Sequence, residues 1–222
     1  MAGIALDEPG YVDCGIEQCF KMYDLFEDPE NHLLHQARGF MADKDAISED
    51  HWSRGNGWGI IGLADILQYL PRTDARWEEA ARRMRRRCEA LLRYQTAHGL
   101  WRQSIACELA WEESSGTGLI AYSMGVALRL GVLERAVYFP AFQKAVQGLA
   151  DWCLNADFST ERSCHGCLCP GVGAEKGTLK AYLCDVRAYR NEPHSFGPIM
   201  LAMIEAYKNG IREITWKERM YA

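Results

Sequence analysis

Residues 51–59 read HWSRGNGWG and set two tryptophans, an arginine and an asparagine among three glycines. Trp52 and Trp58 offer flat apolar faces on which a sugar ring can lie. Arg54 carries a planar fork of donors that matches a carboxylate. His35, in the earlier stretch HLLHQ, can donate or accept a proton near neutral pH. The glycines would let a ligand approach the backbone where a helix begins, and the first N–H groups of a helix attract anions. Each residue also has a plain structural reading. Trp58 could be a core aromatic, Arg54 could pair with Glu49 or Asp50, His35 could be a satisfied loop histidine, and the glycines could serve only close helix packing.

A second cluster lies in CHGCLC, which supplies Cys164, Cys167 and Cys169 with His165 between them. A Cys-x-x-Cys pair has the spacing of a zinc knuckle. A structural site of that kind normally draws on a second pair. None follows here, and Cys184 stands alone, so a loop of reduced thiols is the competing reading.

The elements that must position these residues are helical. Residues 76–96 and 139–154 place apolar side chains at three- and four-residue steps with polar residues opposite, and 11–26 fits more loosely; this is the pattern of outer helices with one wet face. Residues 60–70, 118–131 and 197–207 are apolar almost all round, the pattern of buried helices. The two kinds alternate three times, and each apolar helix opens on small residues: RGNGWG, SSGTG and HSFGP. Such a repeat of hairpins predicts an all-α toroid of inner and outer helices. With no Pro-, Gly- or Ser-rich linker, residues 1–222 read as one domain.

Composition narrows the function. The 222 residues carry a formal net charge of −5, which does not suggest a nucleic-acid partner. The basic run RRMRRR (82–87) reads as a solvated helix face. No apolar run approaches the roughly 20 residues that cross a bilayer. The first residues lack the pattern of a secretory leader, and with nine cysteines this predicts a cytoplasmic protein with reduced thiols.

HWSRGNGWGIIGLADILQYLP resembles the signature of the unsaturated glucuronyl and rhamnogalacturonyl hydrolases, glycoside hydrolase families 88 and 105. DPENHLLHQARGF, GLWRQS, ESSGTGLIAYSMGVALRLG and NEPHSFGPIMLAMIE match further blocks in the same order, and the likeness is greater to family 105. The resemblance implies an (α/α)6 barrel of twelve helices. It also implies a substrate: oligosaccharides left by polysaccharide lyases, with a 4,5-unsaturated uronic acid at the non-reducing end. In that chemistry an aspartic acid protonates the double bond and water adds to the neighbouring carbon. The hemiketal so formed rearranges and releases the sugar, without metal or organic cofactor. Carried over by position, Trp52, Arg54 and Trp58 match the family's Trp-x-Arg-x-x-x-Trp substrate contacts, and His35 matches its loop histidine. Asn56, Ser115, Thr117 and His194 fall in blocks near the barrel mouth and are expected at the pocket.

The family's proton donor lies on an inner helix ahead of the segment that resembles AGIALDEPGYVD, with which this chain opens. The chain is therefore expected to hold the C-terminal half of the barrel, about three hairpins, without that aspartate. Asp13 is the early candidate to replace it, although DEPGYVD reads as a turn and helix start with Asp7 as N-cap. Glu112 and Glu113, before SSGTG, read as capping acids. A half toroid would leave apolar flanks open and so self-associate. A sugar- or protein-binding homologue without catalysis is the alternative function. An isomerase or epimerase on a similar toroid is a third reading, against which SRGNGW argues.

Overall fold

The computed structural model describes residues 2–166 and 169–215. After a single turn, α1 (Ala2–Ala5), six long helices follow in alternating layers. The outer helices are α2 (Pro9–Phe26), α4 (Ala75–Arg93) and α6 (Arg135–Trp152). The inner ones are α3 (Ser53–Tyr69), α5 (Ser114–Arg129) and α8 (Pro193–Lys208). A short helix, α7 (Leu179–Asp185), precedes α8.

Helix α5 is the centre of the fold, packing on α3 at one side, α8 at the other and α6 outside. Its first fifteen residues are buried except for Tyr122, which is why its sequence is apolar all round. Close approach of the inner helices explains two glycines. A Cβ on Gly57 would lie 2.6 Å from the Leu119 Cβ, and one on Gly118 would lie 2.6 Å from the Pro198 backbone. The packing reading holds at these positions.

Helix α4 shows the outer pattern. Trp77, Ala80, Ala81, Met84, Cys88 and Leu91 are buried on one face. On the other, Arg82, Arg85 and Arg86 pair with Glu79, Glu78 and Glu27. Arg87 departs from the expected solvated face. It is buried, lies 5.6 Å from the Tyr23 ring and donates to Asn56 Oδ1 at 2.5 Å.

Two antiparallel pairs of two-residue strands tie the loops over the inner-helix starts. β1 (Trp101–Arg102) pairs with β2 (Glu112–Glu113), and β3 (Ser163–Cys164) pairs with β4 (Ala188–Tyr189). Strands so short leave no alternating pattern to read. One large apolar core fills the space between the helical layers, and a small cluster of Trp52, Cys164, Tyr182 and Val186 lies beneath the loops.

The expected N-cap at Asp7 is corrected. Asp7 takes a left-handed φ of 55° in the turn between α1 and α2, and Glu8 stands at the N-cap without a side-chain bond. Asp13 sits on outer helix α2, exposed and paired with Arg76 at 2.5 Å. Among the described helices none is long and apolar enough to cross a membrane.

Candidate functional site

A groove of about 330 Å³ opens where α3 begins, lined by Met22, Phe26, Leu34, His35, Gln36, Trp52, Gly55, Trp58 and Gly59. Helical spacing puts Gly55, Trp58 and Gly59 on one face of α3, one turn beyond Trp52. Trp58 projects with 53% of its surface exposed, whereas Trp52 is buried and forms the floor. His35 arrives from the turn after α2, which the bridge between Glu27 and Leu34 closes. Of the eight binding residues expected from the sequence, His35, Trp52 and Trp58 come together here.

The other five do not line the groove. Arg54 is 1% exposed. Its guanidinium donates to the carbonyls of Cys164 at 2.8 Å and His165 at 3.2 Å, meets Glu192 Oε2 at 3.3 Å, and stacks 4.9 Å from the Trp52 ring centre. Its ion-pair partner is Glu192, not Glu49 or Asp50. In this structure Arg54 supports the groove floor and joins α3 to the start of α8, so its expected exposure to a ligand is not seen.

Asn56 is likewise buried. It accepts from Leu34 N–H and donates to the carbonyls of Leu34 and Trp52, with Arg87 as its fourth partner. All four bonding directions of the amide are used. Asn56 thereby holds the backbone next to His35 at a fixed distance from Trp52. Ser115 Oγ donates to Glu113, and Thr117 Oγ1 donates to the Glu113 carbonyl while accepting from Trp101 N–H. Both are buried inside α5. His194 is half exposed at the start of α8, its Nδ1 2.7 Å from Glu192 Oε1. Asp13 is not among the lining residues either.

Sequence reasoning missed the way the three inner helices begin. A buried carboxylate stands at each start. Asp50 accepts from Trp52 N–H at 2.7 Å and Ser48 Oγ at 2.6 Å. Glu113, expected as a capping acid, caps α5 through the N–H groups of Ser115 and Gly116. It also accepts from Ser53 Oγ and Cys164 N–H, so it binds α3 and β3 to α5. Glu192 caps α8 through His194 N–H and accepts from Ser163 Oγ. The helix ends expected to face an anionic ligand are thus partly filled by the protein's own acids, as the positive ends of their dipoles favour. The signal was present: an acid precedes each block of small residues, in EDHW, EESS and NEPH.

The described lining residues of the groove include no Asp or Glu. Asp28 stands just behind it, its Oδ2 3.7 Å from His35 Nε2 and 3.0 Å from His51 Nε2. Burial raises the Asp28 carboxyl, but the Glu30 N–H, His51 and His35 outweigh it and hold the group below its ordinary value. Gln36 is another lining residue missed in the sequence; it accepts from the Tyr182 hydroxyl. Cys164 and Cys169 are buried, and Cys167 lies outside the described residues. A larger cavity, about 470 Å³, lies against α6 beside His98, Trp152 and Ile211, and none of the expected site residues lines it.

Alternating inner and outer helices, with an aromatic groove at the start of α3, are the arrangement of the all-α toroid class. The sequence matches the model of Glycosyl Hydrolase Family 88 over residues 2–210, and the chain belongs to that family. It is 29% identical over 160 residues to an unsaturated 3S-rhamnoglycuronyl hydrolase of Formosa agariphila, an alignment that covers 68% of this chain and 42% of the relative. It is 30% identical over 168 residues to a 24.9 kDa protein in the picA locus of Rhizobium radiobacter, covering 70% and 71%. Among solved structures, a family 105 glycoside hydrolase of C. acetobutylicum superposes with a TM-score of 0.74 at 22% identity, over 87% of this chain and 57% of that one. A family 88 glycosyl hydrolase of Bacteroides vulgatus gives 0.72 at 23%, over 94% and 58%. The chain thus spans less than half the length of the Formosa relative and somewhat more than half of these structures.

Proposed function

We propose that the groove at the start of α3 binds the unsaturated uronyl end of oligosaccharides left by polysaccharide lyases. In this reading the chain acts as a hydrolase of the family's type, through hydration of the 4,5 double bond. The observation that carries it is the meeting of His35, Trp52 and Trp58 in one groove, in a chain that belongs to the family. Trp58 supplies the exposed wall on which a flat, half-unsaturated ring stacks. His35 supplies a polar edge, and Arg54 and Asn56 hold the floor and the loop in register. The experiment is to follow the ultraviolet absorbance of the double bond in an unsaturated disaccharide. Its loss, abolished by removal of Trp58, supports hydrolysis. An unchanged signal at high protein concentration rejects hydrolysis by this chain.

The second reading is a homologue that binds such sugars without cleaving them. The groove lining favours it, because proton transfer to the double bond needs an acid within hydrogen-bond reach and the described lining residues contain no carboxyl. Saturable binding of the disaccharide without loss of absorbance separates this reading from the first. We propose also that the chain represents half of a twelve-helix barrel and self-associates through its open flank.

A further inference from the structure

We propose that Asp28, His35 and His51 form a binding site for one divalent transition-metal ion, with zinc as the natural probe. The ligand atoms of the three residues all lie within 4.8 Å of one another. His51 Nε2 is 3.0 Å and His35 Nε2 3.7 Å from Asp28 Oδ2. Ligands of a tetrahedral zinc ion, bound at about 2.0–2.1 Å, stand roughly 3.3 Å apart. The two separations from Asp28 bracket that value, and the two imidazole ligand atoms lie within 4.8 Å of each other. Two imidazoles and one carboxylate also make a ligand set that zinc accepts, with a fourth position left for water. His35 lines the groove and gives an entry path.

The hydrogen bonding around His51 points the same way. Asn31 Oδ1 accepts from Leu33 N–H, which fixes the amide so that Nδ2 lies 2.8 Å from Asp28 Oδ2 and 3.2 Å from His51 Nε2. His51 Nε2 therefore faces a donor and a carboxylate acceptor at once, and a single ring nitrogen satisfies only one of them. A cation resolves the conflict. It takes the lone pairs of His51 Nε2 and Asp28, and Asn31 remains as an outer donor to the carboxylate. His35 Nδ1 is buried with no hydrogen-bond partner among the described residues, so the ring gains its fixed contact through Nε2. Asp28 and His35 come from one turn and His51 from the segment before α3. The ion would therefore lock the groove's polar edge to its aromatic floor.

The test is zinc titration of the chelator-treated chain by calorimetry, with X-ray absorption on the loaded protein. The expected result is one zinc per chain, a raised melting temperature and a shell of nitrogen and oxygen at about 2.0–2.1 Å without sulfur. His51→Ala and Asp28→Asn are expected to weaken binding by more than about 100-fold. Absence of zinc binding by the wild-type chain overturns the proposal. So does sulfur ligation at about 2.3 Å, which would place the ion on the cysteines, or undiminished binding in folded variants. The absorption spectrum of the wild-type chain decides the matter even where a variant fails to fold.

Discussion

At the scale of single residues, the groove depends on side chains that never reach it. Arg54 is the clearest. Its charge is neutralised by Glu192 and its donors are taken by two carbonyls, all out of water. Removal of one partner of a buried pair leaves the other uncompensated, so Arg54→Met is expected to cost about 3–5 kcal/mol, read from chemical denaturation. Glu192 adds a pH dependence. Burial alone would raise its carboxyl, but the His194 side chain and N–H and the Arg54 guanidinium outweigh burial and hold it below the ordinary glutamate value. As pH falls, the unfolded chain takes up this proton first. The stabilisation is complete above the ordinary glutamate range and is lost as pH drops through the depressed folded value. Melting temperatures measured against pH should show this acid limb, and Glu192→Gln should flatten part of it. The chemistry-bearing residues were legible here, but their orientation was not. Trp52, Arg54 and Trp58 lie close together in sequence, yet only the packing of β3 and the α8 start above α3 decides that Arg54 turns inward. Arg87 was hidden for a similar reason. It sits in a run of arginines, and only the turn to the buried face of α4 sets it apart.

At the scale of elements, six helices were readable because each carries a helical period, loosest in α2, or a long apolar run. The strands and α7 were not, since elements of two or seven residues leave no period. The contacts of α5 rest on small residues where it meets its neighbours. Gly118→Ala would set a methyl group against the Pro198 backbone. Overpacking of this kind is expected to destabilise the chain by about 1–3 kcal/mol, measured by thermal unfolding. The buried acids at the inner-helix starts were only partly legible. Glu113 could be anticipated from its place before SSGTG. Its bonds to Ser53 and Cys164 depend on distant segments, and spacing along one chain cannot show them.

At the scale of the molecule, one face of α8 is uncovered among the described residues. Phe196, Met200, Ile204 and Tyr207 follow one face of α8 and are all exposed. An apolar stripe of this kind favours association. Light scattering is expected to give a mass above that of one chain, with Met200→Glu and Ile204→Lys together returning it to the monomer. A monomeric wild-type chain with a single cooperative melt would contradict this. The alternation of helix types made the toroid visible in the sequence, but an apolar run did not tell full burial from partial: α5 is buried nearly all round, whereas α8 and α3 each keep exposed apolar residues.

The groove itself is tested most directly by calorimetric titration of a lyase-generated unsaturated disaccharide into the wild-type chain and into Trp58→Ala. Trp58 is exposed and its loss leaves the core intact, so the comparison reads recognition and not folding. Saturable binding by the wild-type chain, weakened at least about tenfold in the variant, is the expected result, since stacking on an aromatic face is worth about 1–3 kcal/mol in comparable ring contacts. No binding by the wild-type chain, or equal binding by both, would contradict a sugar site at the start of α3.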